Sequence, residues 1–214
     1  MIFIVENFRK TVEIIKEHKK NSWRTVLIYG SSNNGKSTLI NEILGEHVAR
    51  IGLDGTPTTQ HLQLYEDKNS KILYVDSPGL EKHDNADKII QLTSFRPDLI
   101  WLVISNTTAI EPVELDISRK YYPNTPLDII LNKVDILQEI DLSENELNNF
   151  YREVPSALAT CRELVSKREK LLKDHNLRQL VLMSMREEEE NDKVIGVEHL
   201  LNSTKDYFAN LKSK

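Results

Sequence analysis

The chain has 214 residues, 39% of them hydrophobic, and a formal net charge of −5. That is enough apolar material for the core of one large domain, and the acidic balance excludes a global basic footprint for nucleic acid or anionic lipid. The single cysteine, Cys161, excludes an intramolecular disulfide and a cysteine-rich zinc site, so a reducing, cytoplasmic compartment is expected.

Residues 1 to 5 are apolar but run into Glu6, Arg9 and Lys10, without the basic start, long apolar stretch or small-residue cleavage site of a signal peptide. No run reaches the roughly eighteen apolar residues that cross a bilayer, so no transmembrane segment is expected and any membrane contact would be peripheral. Val5, Phe8, Val12 and Ile15 fall at helical spacing over residues 5 to 19, interleaved with Glu13, Lys16 and Glu17 and followed by Lys19 and Lys20. Mixed charge on the polar face favours a helix packed back on the domain over one laid on a membrane. Residues 1–24 are thus read as an N-terminal helix leading into a domain at 25–214.

Thr25 to Tyr29 reads as a buried strand, and it delivers Gly30-Ser31-Ser32-Asn33-Asn34-Gly35-Lys36-Ser37, a G-x-x-x-x-G-K-[ST] phosphate loop. Phosphate oxygens need many short N–H donors at once, and a loop curled on Gly30 and Gly35 can turn the amides of Asn33, Asn34 and their neighbours inward. Lys36 adds a cation for the β and γ phosphates. Ser37 offers its hydroxyl to Mg²⁺, and Thr38 stands beside it in a helix that aims its positive dipole end at the anion and closes at Gly45.

Residues 46 to 59, with Gly52, Gly55 and Pro57, form no regular element and end in the pair Thr58-Thr59. A strand around Leu62 and Leu64, a turn at Asp67-Lys68-Asn69-Ser70 and a strand over Lys71 to Val75 lead into Asp76-Ser77-Pro78-Gly79, a D-x-x-G element. At a strand end, Asp76 can hold Mg²⁺ through water and the Gly79 amide can bind a γ phosphate. His83 in the following charged loop is read as solvated, ahead of a short helix through Ile89, Ile90 and Leu92.

Leu99 to Ile104 is a near-continuous apolar run suited to a central parallel strand, with Trp101 in the core. A helix opening at Glu111-Pro112 and running through Leu115, Ile117 and Tyr121 precedes the strand Leu127 to Leu131. That strand delivers Asn132-Lys133-Val134-Asp135, an N-K-x-D element. A carboxylate at Asp135 pairs with the N1–H and exocyclic amino group of guanine, whereas adenine lacks that donor pair. Asn132 would contact the base and brace the phosphate loop, with the Lys133 stem along the base plane. Beyond it come a capping box at Ser143 to Glu146, a helical segment at about 141–176, a last strand over Gln179 to Met183 and the acidic run Glu187 to Glu190, read as a solvated loop. A closing amphipathic helix carries Val197, Leu200, Leu201, Tyr207, Phe208 and Leu211.

These elements in this order resemble the small GTPase domain of the translation-factor-related class, in its Era-like and dynamin-like branches, over residues 25 to about 211. The resemblance implies a three-layer α/β fold with a mainly parallel six-stranded sheet and flanking helices. It implies guanine nucleotide and Mg²⁺ as ligands, with Ser37, Thr59 and Asp76 at the metal, Thr58 being the alternative to Thr59. It places Lys36, Thr59 and Gly79 in catalysis. The Ser-Ala-Lys loop of relatives, which touches guanine through backbone, reads Ser184-Met185-Arg186 here, so Ser184 and Met185 are the candidate third base contact. Leu80 stands where Ras-type relatives carry a water-orienting glutamine. Asn33 matches the asparagine that binds K⁺ in potassium-activated relatives, or it only braces the loop.

The expected activity is slow, Mg²⁺-dependent hydrolysis of GTP to GDP and phosphate by a molecular switch, activated by K⁺ or by dimerisation. The alternative is a nucleotide-gated regulatory module with negligible hydrolysis. Switch residues 46 to 60 and 76 to 92 would then meet a protein effector or a second copy of the chain. A P-loop kinase is a weaker rival, because it leaves Asn132 to Asp135 unexplained.

Overall fold

A computed structural model describes residues 2–3, 8–45, 48–49, 61–80, 86–105, 114, 116–133, 177–186 and 193–212. Thr58, Thr59, His83, Asp135, the capping box, the segment 141–176 and the acidic run 187–190 lie outside the described residues.

The six strands expected from the sequence are present as β2 (Arg24–Tyr29), β3 (Gln63–Asp67), β4 (Ile72–Asp76), β5 (Leu99–Ser105), β6 (Leu127–Asn132) and β7 (Leu177–Leu182). A seventh, the two-residue β1 (Ile2–Phe3), pairs antiparallel with β3 at the sheet edge. Two residues are too few to show a period of two, so no strand was readable there. The order is β1-β3-β4-β2-β5-β6-β7, and β4, β2, β5, β6 and β7 run parallel. β4 and β5 are buried along their whole length, because helices cover both faces. The β3–β4 turn is tied by Asp67, whose Oδ1 accepts the Asn69 and Ser70 amides at 3.0 and 3.1 Å.

Two hydrophobic layers sandwich this sheet. On one face Ile15 of α1 (Phe8–Lys20), Leu92 of α3 (Ala86–Thr93) and Ile117 pack with Leu27, Tyr29, Leu102 and Leu131. On the other, Leu39 and Ile40 of α2 (Lys36–Leu44) and Leu200 and Phe208 of α4 (Val197–Lys212) pack with Val26, Ile28, Trp101 and Val103. Trp101 is fully buried, as its place in the apolar run implies. In α1, His18 bonds Ile14 O and Glu66 Oε1, both at 2.9 Å, which ties the helix to β3.

Two local differences from the sequence reading have physical causes. Where an α-helix was expected through Ile117 and Tyr121, the chain forms a π-helical segment (Ile117–Tyr121). Just past it the Tyr122 hydroxyl donates to Leu92 O and, at 2.9 Å, to Phe95 O, which ties this segment to the end of α3. Ser184–Arg186, read as a loop, is a strand, β8, paired antiparallel with β9 (Lys193–Ile195). No helix among the described residues is long and apolar enough to cross a membrane.

Candidate functional site

β2 has β4 on one side and β5 on the other, so successive crossovers leave in opposite directions and open a crevice at the carboxyl ends of these strands. The phosphate loop starts there. Gly30 has φ +147°, and a Cβ on it would lie 2.1 Å from Val103 O of β5. Only glycine allows the loop to leave β2 so close to its neighbour. Asn33 is exposed in a left-handed turn at φ 62°, and Gly35 precedes the first turn of α2.

Side chains bolt this loop to the sheet. Asn34 Nδ2 donates to Val103 O at 2.9 Å, and Asn132 Nδ2 donates to Asn34 O at 3.0 Å. The second of these bonds ties the end of β6 to the loop. The Lys36 ammonium is buried and donates to Gly30 O and Ser31 O, both at 2.9 Å, which pins it across the loop. Ser37 and Thr38 follow it, half-buried, in the first turn of α2.

The D-x-x-G element meets the loop directly. Asp76, fully buried at the end of β4, is paired in register with Ile28, two residues before Gly30. The Ser77 amide donates to Ile28 O at 3.0 Å and the Leu80 amide to Gly30 O at 3.2 Å. Gly79 lies so close to the loop that a Cβ there would stand 2.2 Å from Ser32 Oγ and 2.9 Å from Ser32 Cα. Lys88 of α3 donates to Gly79 O at 2.8 Å, orienting the same peptide. Leu80 is 1% exposed, so its side chain belongs to the core.

Directly after β6, Lys133 takes a left-handed backbone conformation with φ 61°. Ser184 and Met185 lie in β8 just after Met183, whose amide donates to Leu131 O at 2.9 Å. Lys36, Asn34, Asp76, Gly79 and Asn132 thus lie together at the carboxyl ends of the interior strands, while Thr59 and Asp135 are not described. Two buried polar atoms here, the Ser32 hydroxyl oxygen and Asn132 Oδ1, have no hydrogen-bond partner among the described residues; the hydroxyl can donate to a phosphate oxygen and the amide oxygen can accept from an N–H of a ligand. A nucleotide phosphate chain with Mg²⁺ suits this set, which combines a cation, loop amides, hydroxyls and a buried carboxylate.

Sequence reasoning missed one residue of the site. Glu114 is 1% exposed and its Oε1 accepts both the Ser31 amide at 2.7 Å and the Ser31 hydroxyl at 2.8 Å. One of three acids spaced among apolar residues between Glu111 and Asp116, it carries no motif signal.

With that geometry in place, likeness to known proteins bears on the same elements. GTPase Era of Leuconostoc citreum is 30% identical over 125 residues, covering 55% of this chain and 41% of that protein. GTPase Der of Persephonella marina is 30% identical over 151 residues, covering 66% of this chain and 34% of its own length. The match therefore spans less than half the length of these relatives. Aquifex aeolicus Era bound to GDP and aluminium fluoride superposes with a TM-score of 0.57 at 24% identity, over 86% of this chain and 56% of that one. A dimerization-deficient mutant of Toc33 from Arabidopsis thaliana gives 0.57 at 16% identity, over 94% and 91% of the two chains. For Toc33 and its relative Toc159, dimerization is described as important for GTPase activity. At these identities the structures speak for the fold alone. Residues 25–133, from the first buried strand through the start of N-K-x-D, match the family described as 50S ribosome-binding GTPase, and the chain belongs to that P-loop GTPase family.

Proposed function

We propose that this chain is a Mg²⁺-dependent molecular switch that binds GTP and GDP and hydrolyses GTP slowly to GDP and phosphate. The observation that carries it is the contact between the two phosphate-reading elements: Gly79 abuts Ser32, and Leu80 is hydrogen-bonded to Gly30. A γ phosphate seated on the loop would push on the D-x-x-G segment, so the nucleotide state can reach the switch. In this reading Lys36 faces the β and γ phosphates, Ser37, Thr59 and Asp76 serve Mg²⁺, and Gly79 senses the γ phosphate. Asn132, Lys133 and Asp135 select guanine, and Ser184 and Met185 add backbone contact. Cytoplasmic residence, with the single Cys161 in its favour, belongs to the same proposal.

Burial of Leu80 favours keeping a second reading, a nucleotide-gated binding module with negligible turnover, since no side chain at that position can orient water. A K⁺ held by Asn33, or a second copy of the chain meeting the switches, would supply the missing charge or group. The acidic net charge points to a protein effector or self-association over nucleic acid. Single-turnover hydrolysis in KCl and in NaCl, across a range of protein concentrations, separates the readings. Hydrolysis that rises with K⁺ or with concentration is expected; turnover undetectable in every arm leaves the regulatory module.

The base pocket has its own test. Asp135→Asn is expected to shift preference from guanine to xanthine nucleotides by about a hundredfold or more, because the amide pairs with the xanthine carbonyl and leaves the guanine donors mismatched. Competition binding with GDP and XDP measures this, and an unchanged preference would mean that Asp135 does not read the base.

A further inference from the structure

We propose that Glu114 is a positioning residue for the phosphate loop: a buried carboxylate that clamps Ser31 and so fixes the loop in its phosphate-binding shape. This rests on the nucleotide-binding reading above. One carboxylate oxygen accepts two donors from Ser31, the amide at 2.7 Å and the hydroxyl at 2.8 Å. The backbone is gripped as well, because the Tyr29 hydroxyl donates to Glu114 O at 2.7 Å. Tyr29 is fully buried, and burial pushes its phenol well above the usual range, so it remains a donor at any physiological pH. The residues on either side of Gly30 are therefore both held by Glu114.

From the opposite side, the Leu80 amide holds Gly30 O, and Leu80 forms a parallel bridge with Ser31. The first two residues of the loop are thus fixed between the D-x-x-G segment and Glu114. The charged acceptor matters because hydrogen bonds to a carboxylate are roughly twice as strong as neutral ones, and here they direct the Ser31 amide toward Glu114. A loop whose first turn is set in advance spends less binding energy on ordering when phosphate arrives.

Glu114→Ala strands the Ser31 amide and hydroxyl without this acceptor, whereas Glu114→Gln keeps a carbonyl oxygen for them. Titration of nucleotide-free, folded protein with GDP and Mg²⁺ should show E114A weakened by about tenfold or more, and E114Q, whose neutral oxygen makes weaker bonds to the same two donors, weakened by less than E114A. A purely structural role would lower the melting temperature of the nucleotide-free protein and leave the GDP affinity of the folded fraction unchanged, and that result overturns the proposal. If E114A does not fold, Ser31→Ala, which removes only the hydroxyl limb, should weaken GDP binding by about threefold or more. Unchanged affinity there is equally fatal. Absence of GDP binding by the wild-type chain would instead strike at the nucleotide reading itself.

Discussion

Replacing Lys36 with alanine is expected to weaken GTP binding by about a hundredfold or more, an effect of about 3 kcal/mol, with a smaller loss for GDP. The ammonium is buried and held by Gly30 O and Ser31 O at 2.9 Å each, which fixes it across the loop. A positioned, desolvated cation interacts with an anion more strongly than a flexible surface lysine, because little side-chain entropy remains to be lost and water screens it less. Truncation removes that charge and also takes the donor from two loop carbonyls. GTP should suffer more than GDP, because in the proposed role the lysine serves the γ phosphate as well as the β phosphate. Lys36→Arg should not rescue binding, since a planar fork does not fit where two carbonyls enclose a compact ammonium. Calorimetry with Mg²⁺ present measures the affinities. Thermal unfolding adds a check: at a hundredfold excess of ligand over Kd, nucleotide should stabilise wild type by about 2.7 kcal/mol and the variant by almost nothing. A loss of less than about fivefold would mean that Lys36 does not face the phosphates.

How much of this site is legible in the sequence depends on how local its chemistry is. The phosphate loop, D-x-x-G and N-K-x-D are each written in a few consecutive residues, because backbone amides, a metal carboxylate and a base-reading acid must sit at fixed offsets from a strand end. The strands that carry them are equally plain, since burial on both faces leaves apolar runs such as Leu99 to Ile104. Even the brace from Asn132 to Asn34, across 98 positions, follows once both lie at strand ends on one edge. Glu114 does not follow. Its bonds to Ser31 span 83 positions, and an acid between Glu111 and Asp116 looks like one more solvated charge. β1 is too short to carry a pattern, and β8 depends on a partner strand beyond an acidic run. Asp128 is hidden for a related reason, because one acid inside an apolar strand is read as a polar exception until its partner, 50 positions away, is in place.

That partner makes Arg178→Ala the substitution expected to cost the most stability away from the nucleotide site, about 3–5 kcal/mol near neutral pH. Asp128 is fully buried in β6, opposite Trp101 of β5. Its carboxylate accepts Arg178 Nε at 2.7 Å, a second bond from Arg178 Nη2, and Gln179 Nε2 at 3.1 Å. Arg178 also donates from Nη1 to Ser203 O at 2.9 Å, and its guanidinium lies 5.2 Å from the centre of the Tyr207 ring. One bidentate pair therefore joins β6, β7 and α4. Burial pushes the Asp128 carboxyl above its usual range, against the opposing pull of Arg178 and then Gln179. Because the folded-state pKa is raised, the stability this group contributes is full below its unfolded pKa and is lost as pH rises through the folded value. Removing Arg178 takes away the strongest opposing pull, raises that folded value further and leaves a buried charge without its guanidinium at neutral pH. The penalty should therefore be largest near pH 7 and shrink toward about pH 5, where the variant more readily holds a proton on Asp128. Urea unfolding of variant and wild type at both pH values measures the difference. Arg178→Met combined with Asp128→Asn should recover most of the loss, since neither side of the pair then leaves a charge in the core. A penalty below about 1 kcal/mol, or one that does not change with pH, would show that Arg178 is not what keeps Asp128 ionised inside the sheet.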